Sequence, residues 1–194
     1  MDLFSITYRS VTVYFIGLAG GGYLGFDAGW PGSFREYRDA LKAAGHRPDG
    51  LRILLVSHYH IDHAGLAGEL QSRGARLAAF PAQLPDIDPM EELIARKGYP
   101  YVKVDRERIE RLDPGESRGW LASLGISGQA LQADGHGPGH YCLALEGGVA
   151  LTGDLAPERM AGENDQATAR NWAALRALGV RRALPAHGGP QELD

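Results

Sequence analysis

The chain has 194 residues, 44% hydrophobic and 23% charged, which is long enough for one sizeable core and unlike a disordered chain. A formal charge of −4 and the absence of any Lys/Arg block give no footing for nucleic acid or an anionic membrane as partner. The single cysteine, Cys142, rules out an internal disulfide.

In chain order, Val11 to Ile16 and Tyr23 to Phe26 are β-branched and aromatic runs joined by "GLAGGG", a hairpin pattern. Five glycines break this apolar stretch, so it does not read as a membrane span. Asp2 stands where a signal peptide would carry positive charge, so the expected location is the cytoplasm. Ser33 and Glu36 predict a capping box for a helix over 34–44. The apolar run "LRILLV" (51–56) predicts a short buried strand, "AGLAGELQSRG" (64–74) a helix, and "ARLAAF" (75–80) another strand. A helix is expected over 88–98. Residues 99–128 are ambiguous, with short strands conceivable at 101–104 and 108–112. Strands near 129–133, 141–145, 148–152 and 180–185, with a helix at 168–178, complete the pattern. Strands and helices interleave without repeat or linker, which indicates an α/β or α+β class in a single domain over 1–194.

The chemistry concentrates in "SHYHIDHAG" (57–65), with three histidines and an aspartate directly after the apolar strand. His58 and His60 are two apart in extended chain and so share a face, where two imidazoles can meet one ion. Asp62 and His63 fall where the chain turns helical, aimed differently and suited to a second ion. "DGHGPGHY" adds His136, "LTGDLAP" adds Asp154 and "LPAHGGP" adds His187, each in a Gly/Pro loop at the end of a strand. Five histidines and two aspartates suit borderline metals such as Zn2+, Mn2+ or Fe2+. Cys142 falls inside a strand and is not expected to be a ligand, and His46 reads as an ordinary turn histidine.

These motifs resemble those of the metallo-β-lactamase-fold superfamily over nearly the whole chain. "HYHIDH" (58–63) matches the signature HxHxDH, "GHGPGH" (135–140) is similar to the GHTxGH loop with Gly137 replacing the usual Thr, and "TGD" (152–154) and "AHG" (186–188) match the last two motifs. "GFDAG" (25–29) resembles the "IDTG" turn before the first helix. The resemblance implies a four-layer αββα sandwich with metals at one edge of the two sheets. It implies that His58, His60 and His136 bind one divalent ion and Asp62, His63 and His187 a second, with Asp154 bridging. Zinc is the first expectation, with iron or manganese as alternatives. His140 lies outside this ligand set and is expected to support it or to pack. Asp27 is expected to fix its loop, or to contact Asp62 or a ligand histidine.

Two ions roughly 3.5–4 Å apart lower the pKa of a shared water towards ~7. The resemblance therefore implies a hydrolase of a small-molecule ester, thioester or lactone using metal-bound hydroxide, with Asp62 or Asp154 orienting the nucleophile and accepting its proton. A glyoxalase II-like thioesterase is one branch, here ending seven residues after His187 and so without the helical glutathione-binding domain of the long enzymes. Lactonases are another, although they often carry a tyrosine where this chain has Pro157. A secreted β-lactamase is disfavoured by the lack of a leader, and a nuclease by the short acidic chain. The alternative class is an oxidoreductase, a mononuclear Fe(II) persulfide dioxygenase-like protein using His58, His60 and His136; a binding protein without turnover is a third. Specificity is expected from "GWPGSF" (29–34), the 81–103 segment with Tyr99 and Tyr101, and 156–165. Trp30 reads as an aromatic platform or a turn-packing residue, and Arg159 as a carboxylate contact or a solvated cation. The sheet edges could support a dimer, although no sequence feature specifies one.

Overall fold

The structure, a computed structural model, describes residues 2–160 and 165–193. Strands β1 (Leu3–Tyr8), β2 (Val11–Gly17) and β3 (Tyr23–Phe26) form an antiparallel meander. Helix α1 (Phe34–Ala43) crosses to β4 (Leu51–Leu55), which adds parallel to β3. The short helices α2 (Ile61–Ala64) and α3 (Ala67–Ser72) lead to β5 (Arg76–Ala79), and α4 (Ile87–Lys97) to β6 (Glu110–Arg111). The resulting six-stranded sheet runs in sequence order. Helix α5 (Ser117–Ser123) precedes the second sheet, whose order is β11-β10-β9-β8-β7. Its strands are β7 (Gly128–Gln132), β8 (Tyr141–Leu145), β9 (Val149–Gly153), β10 (Arg182–Pro185) and β11 (Gln191–Glu192), with α6 (Gln166–Ala177) crossing between β9 and β10.

The layering follows from side-chain alternation along the strands. Tyr14 and Ile16 of β2 face inward and meet Leu143, Leu145 and Leu151 of the second sheet in one buried cluster. Val13 and Phe15, one residue out of phase, face the other way and pack under Tyr37 and Leu41 of α1, Leu70 of α3 and Met90 and Ile94 of α4. On the second sheet, Cys142, Ala144, Ala150 and Ala183 lie beneath Trp172 and Leu175 of α6. Helices thus cover both outer faces, the αββα arrangement expected from the motifs. Among the described residues, no helix is long and apolar enough to cross a membrane.

Three local expectations are corrected. The Ser33–Glu36 capping box does not form: Ser33 Oγ donates to Trp30 O at 2.5 Å, while Glu36 pairs with Arg9. The helix expected over 64–74 is broken in two, because Leu66 N–H is diverted to Gly29 O (3.2 Å). At Gly65 a Cβ would lie 2.3 Å from Pro31, so the bend needs a residue without one. No strand forms at 101–104, and only two residues pair within 108–112. Helix α5, with a central Gly and two serines, has poor intrinsic propensity. It forms because Leu121 and Trp120 pack on the inter-sheet core and Ser117 Oγ accepts Ala130 N–H at 3.1 Å.

Candidate metal centre

Parallel strands end on one edge of the sandwich, and the candidate residues leave from those ends. The chain stays extended past β4 through His60, whose φ and ψ are −82° and 157°. The rings of His58 and His60 therefore stand side by side, with centroids 4.3 Å apart. Asp62 and His63 occupy the first turn of α2, His136 the β7–β8 loop, Asp154 the residue after β9 and His187 the loop after β10.

All seven come together. His136 Nε2 lies 3.2 Å from His58 Nε2 and 3.4 Å from His60 Nδ1. His187 Nε2 is 3.1 Å from Asp62 Oδ2, and His63 Nε2 is 3.7 Å from the same oxygen. Asp154 lies between the groups, with Oδ2 3.2 Å from His63 Nε2 and 4.0 Å from both His58 and His136 Nε2, and Oδ1 3.5 Å from His187 Nε2. The donor atoms fall into two compact sets, His58, His60, His136 and Asp154, and Asp62, His63 and His187.

The surrounding hydrogen bonds orient three of these imidazoles. His63 Nδ1–H donates to Asp27 Oδ2 at 3.0 Å, and His187 Nδ1–H to Ser10 O at 2.7 Å. Ser57 Oγ–H donates to Asp27 Oδ1 at 2.9 Å and is thereby left to accept His58 Nδ1–H at 3.0 Å. In each case the ring is held through its outer nitrogen and Nε2 faces inward, the direction from which a metal would be bound. His63 Nε2 and Asp154 Oδ1 are buried without a hydrogen bond. Several imidazole nitrogens facing one another within 3.5 Å, beside two carboxylates, suit a cation better than they suit each other. The donor set therefore fits divalent metal ions with N/O preference.

The electrostatics agree with this reading. Burial, then the neighbouring histidines, pushes His58 far below the ordinary imidazole range. Burial also lowers His136, against the pull of Asp154. Burial works against protonation of His63 as well, but the charges of Asp27 and Asp154 overcome it and hold its pKa up at about 10. Burial would raise Asp154, yet its contacts with His63 and the other histidines bring it below the carboxylate range. The carboxylates thus hold a proton on His63 that a metal cation would displace, while His58 and His136 are kept neutral.

The supporting residues came partly from the sequence. Asp27, buried and in the left-handed region (φ 72°), holds His63 and Ser57, as one of its expected roles had it; it has no contact with Asp62. His140 stays outside both sets and accepts Asp154 N–H through Nε2 at 3.1 Å, its pKa lowered to about 3 by burial and then by His136. Gly153 makes this approach possible, since a Cβ there would lie 2.6 Å from Ser57 Cβ and 2.8 Å from His140 Nε2. Gln83 was missed: buried in the turn after β5, it donates to Val56 O (2.9 Å) and Ser57 O (3.1 Å) and accepts Phe80 N–H (3.0 Å). Tyr8 was missed with β1, and its hydroxyl donates to Ala28 O at 2.8 Å, bracing the turn that carries Asp27. A buried glutamine in a polar turn gives no periodic signal, so sequence had no means of finding it.

A cavity of about 580 Å³ opens on His58, His60, Asp62 and His136. From the 81–103 segment only Asp86, Pro89, Met90 and Leu93 line it; Tyr99 and Tyr101 do not. Nor do residues 29–34: Trp30 packs edge-to-face on Tyr99, which corrects the reading of it as a substrate platform. Arg159 lies in a separate cleft with Glu158, Arg176 and Pro190, away from the centre. Positions 161–164 of the third expected loop lie outside the described residues. His46 stacks on Phe4, far from the ligand set. Cys142 is buried under α6, its thiol pushed well up by burial.

The sequence profile of the metallo-beta-lactamase superfamily matches residues 6–187. The chain belongs to that superfamily. Among its relatives is a hydroxyacylglutathione hydrolase of Cereibacter sphaeroides, 30% identical over 154 residues (78% of this chain, 51% of the relative). An N-acyl homoserine lactonase of Bacillus thuringiensis is 30% identical over 123 residues, covering 60% of this chain and 43% of the relative. The chain thus spans about half the length of the curated relatives it matches. A metallo-beta-lactamase family protein of Thermus thermophilus shares the fold with a TM-score of 0.73 at 24% identity, over 98% of this chain and 74% of that one.

Proposed function

We propose that the protein is a dinuclear metal-dependent hydrolase of small-molecule esters, thioesters or lactones. The observation that carries this reading is the convergence of seven N/O donors, three of them imidazoles oriented by outer hydrogen bonds, with four of the seven lining a 580 Å³ cavity. The similarity to a hydroxyacylglutathione hydrolase and to an N-acyl homoserine lactonase supports acyl transfer to water as the reaction.

In this reading His58, His60 and His136 would hold one ion and Asp62, His63 and His187 the other, with Asp154 placed to serve both. Two divalent ions, zinc first and iron or manganese as alternatives, would supply a water that ionises near neutral pH and an electrophile for the carbonyl oxygen. Asp27 and Ser57 keep His58 and His63 in the ligating tautomer. Asp62, which lines the cavity, and Asp154, which lies between the two donor sets, are the carboxylates able to orient the attacking water and take its proton. The apolar lining of the cavity, Ile61, Pro89, Met90, Leu93 and Pro138, offers a surface for the substrate's organic part.

The experiment is elemental analysis of protein purified without added metal or chelator, followed by a hydrolysis screen over thioesters, lactones and aryl esters. About two equivalents of metal per chain and turnover of one class is the expected result. One equivalent of iron with oxygen consumption on a sulfur substrate would replace the hydrolase with an oxidoreductase. A folded, metal-free and inactive protein would leave neither.

A further inference from the structure

The cavity wall has a chemical character that narrows the substrate class further than acyl hydrolysis. Besides the histidines it is lined by Ile61, by Pro89, Met90 and Leu93 of α4, and by Pro138 of the β7–β8 loop. No lysine or arginine among the described residues lines it. Its one ionisable group among the described residues, outside the seven-residue cluster, Tyr59 and His140, is Asp86, which caps the start of α4 in position but makes no side-chain capping bond. Among the described residues the Asp86 carboxylate has neither a hydrogen bond nor an ion pair; Oδ2 simply lies against Gly139, 2.3 Å from where a Cβ would stand. A half-buried carboxylate beside an apolar wall repels an anion and favours a neutral or cationic group.

Resting on the hydrolase reading, we propose that the cavity takes the apolar, non-anionic part of an acyl substrate and that Asp86 determines this specificity. The metal ions would be the only positive charges offered to a ligand there, and they are engaged by the scissile group. A carboxylate elsewhere on the substrate would have to sit against Asp86 without a cation to pair with, losing its hydration unrewarded. The class is therefore an uncharged ester, thioester or lactone with an apolar acyl group. Substrates that place a carboxylate in this cavity, as a peptide thioester or a β-lactam acid could, are rejected.

The test uses ligands whose hydroxamate anchors at the metals, so that only the distal end varies. Octanohydroxamic acid, its ω-carboxylate analogue and its ω-amino analogue are titrated calorimetrically into the zinc-loaded chain. The carboxylate analogue should bind about tenfold more weakly than the other two. D86N should narrow that gap several-fold, while D86E, which keeps the charge, should preserve it. A carboxylate analogue that binds as well as the neutral one, a gap unmoved by D86N, or no hydroxamate binding at all would overturn the proposal. Hydrolysis of p-nitrophenyl octanoate, read on the same samples, reports separately on the hydrolase reading. The expected order of binding without any turnover would sink that reading and leave the cavity's selectivity standing.

Discussion

The two halves of the candidate centre are held in different ways. In the set of Asp62, His63 and His187 both histidines are anchored from behind: His63 by Asp27, His187 by the Ser10 carbonyl, and the His63 carbonyl by the N–H groups of Ala28 and Gly29. In the other half only His58 has such a partner, Ser57. The exposed His60 and the half-exposed His136 face each other across the cavity mouth, with no hydrogen-bond acceptor behind either ring among the described residues. A ligand held by an outer hydrogen bond keeps its tautomer and direction before the metal arrives, whereas an unheld one must be oriented by the metal itself. One half of the centre is thus preorganised and the other is open, and the open half adjoins the cavity.

The largest effect that would break this comparison is at His60. H60A should remove one equivalent of metal and lower kcat/KM by about 10³-fold, the loss of a Lewis-acid contribution of several kcal/mol. Full metal content in H60A would take this residue out of the ligand set. A smaller effect should come from the anchored half: D27N keeps shape and removes the charge that fixes His63 and Ser57. Metal affinity at the second set should fall about 10–100-fold by chelator competition, with stoichiometry retained at saturating metal. An unchanged affinity would mean that the anchoring of His63 contributes nothing to binding. The smallest is at His140, where H140A removes an acceptor of the Asp154 N–H. Metal stoichiometry should stay at the wild-type value and stability should drop by about 1–3 kcal/mol in a urea titration. Loss of a full equivalent would move His140 among the ligands.

Most of the strands were legible from composition. β2, β3, β4 and β5 are apolar runs bounded by turn residues, and each formed within a residue or two of its expected span. β1 was not, because "LFSITY" is an edge strand with mixed burial and no strong alternation. α5 was invisible for the opposite reason: its propensity is poor and its contacts are all tertiary. The helix expected over 64–74 failed because a long-range hydrogen bond, Leu66 N–H to Gly29 O, outcompeted the local one. The seven cluster residues were readable because each lies in a short motif at a strand end, where chemistry is local in sequence. The cavity wall was not, since Pro89, Met90 and Leu93 look like any amphipathic helix face.

The sequence alone determined the donor types, their order along the chain and the family they announce. That follows because ligand chemistry belongs to individual side chains and to spacings of two or three residues. Only the tertiary structure decided which nitrogen of each anchored histidine points inward, which half of the centre is braced, and that Asp86 rather than Arg159 faces the cavity. Those outcomes depend on partners far apart in the chain, such as Asp27 with His63 and Ser10 with His187, and no local pattern encodes such pairs.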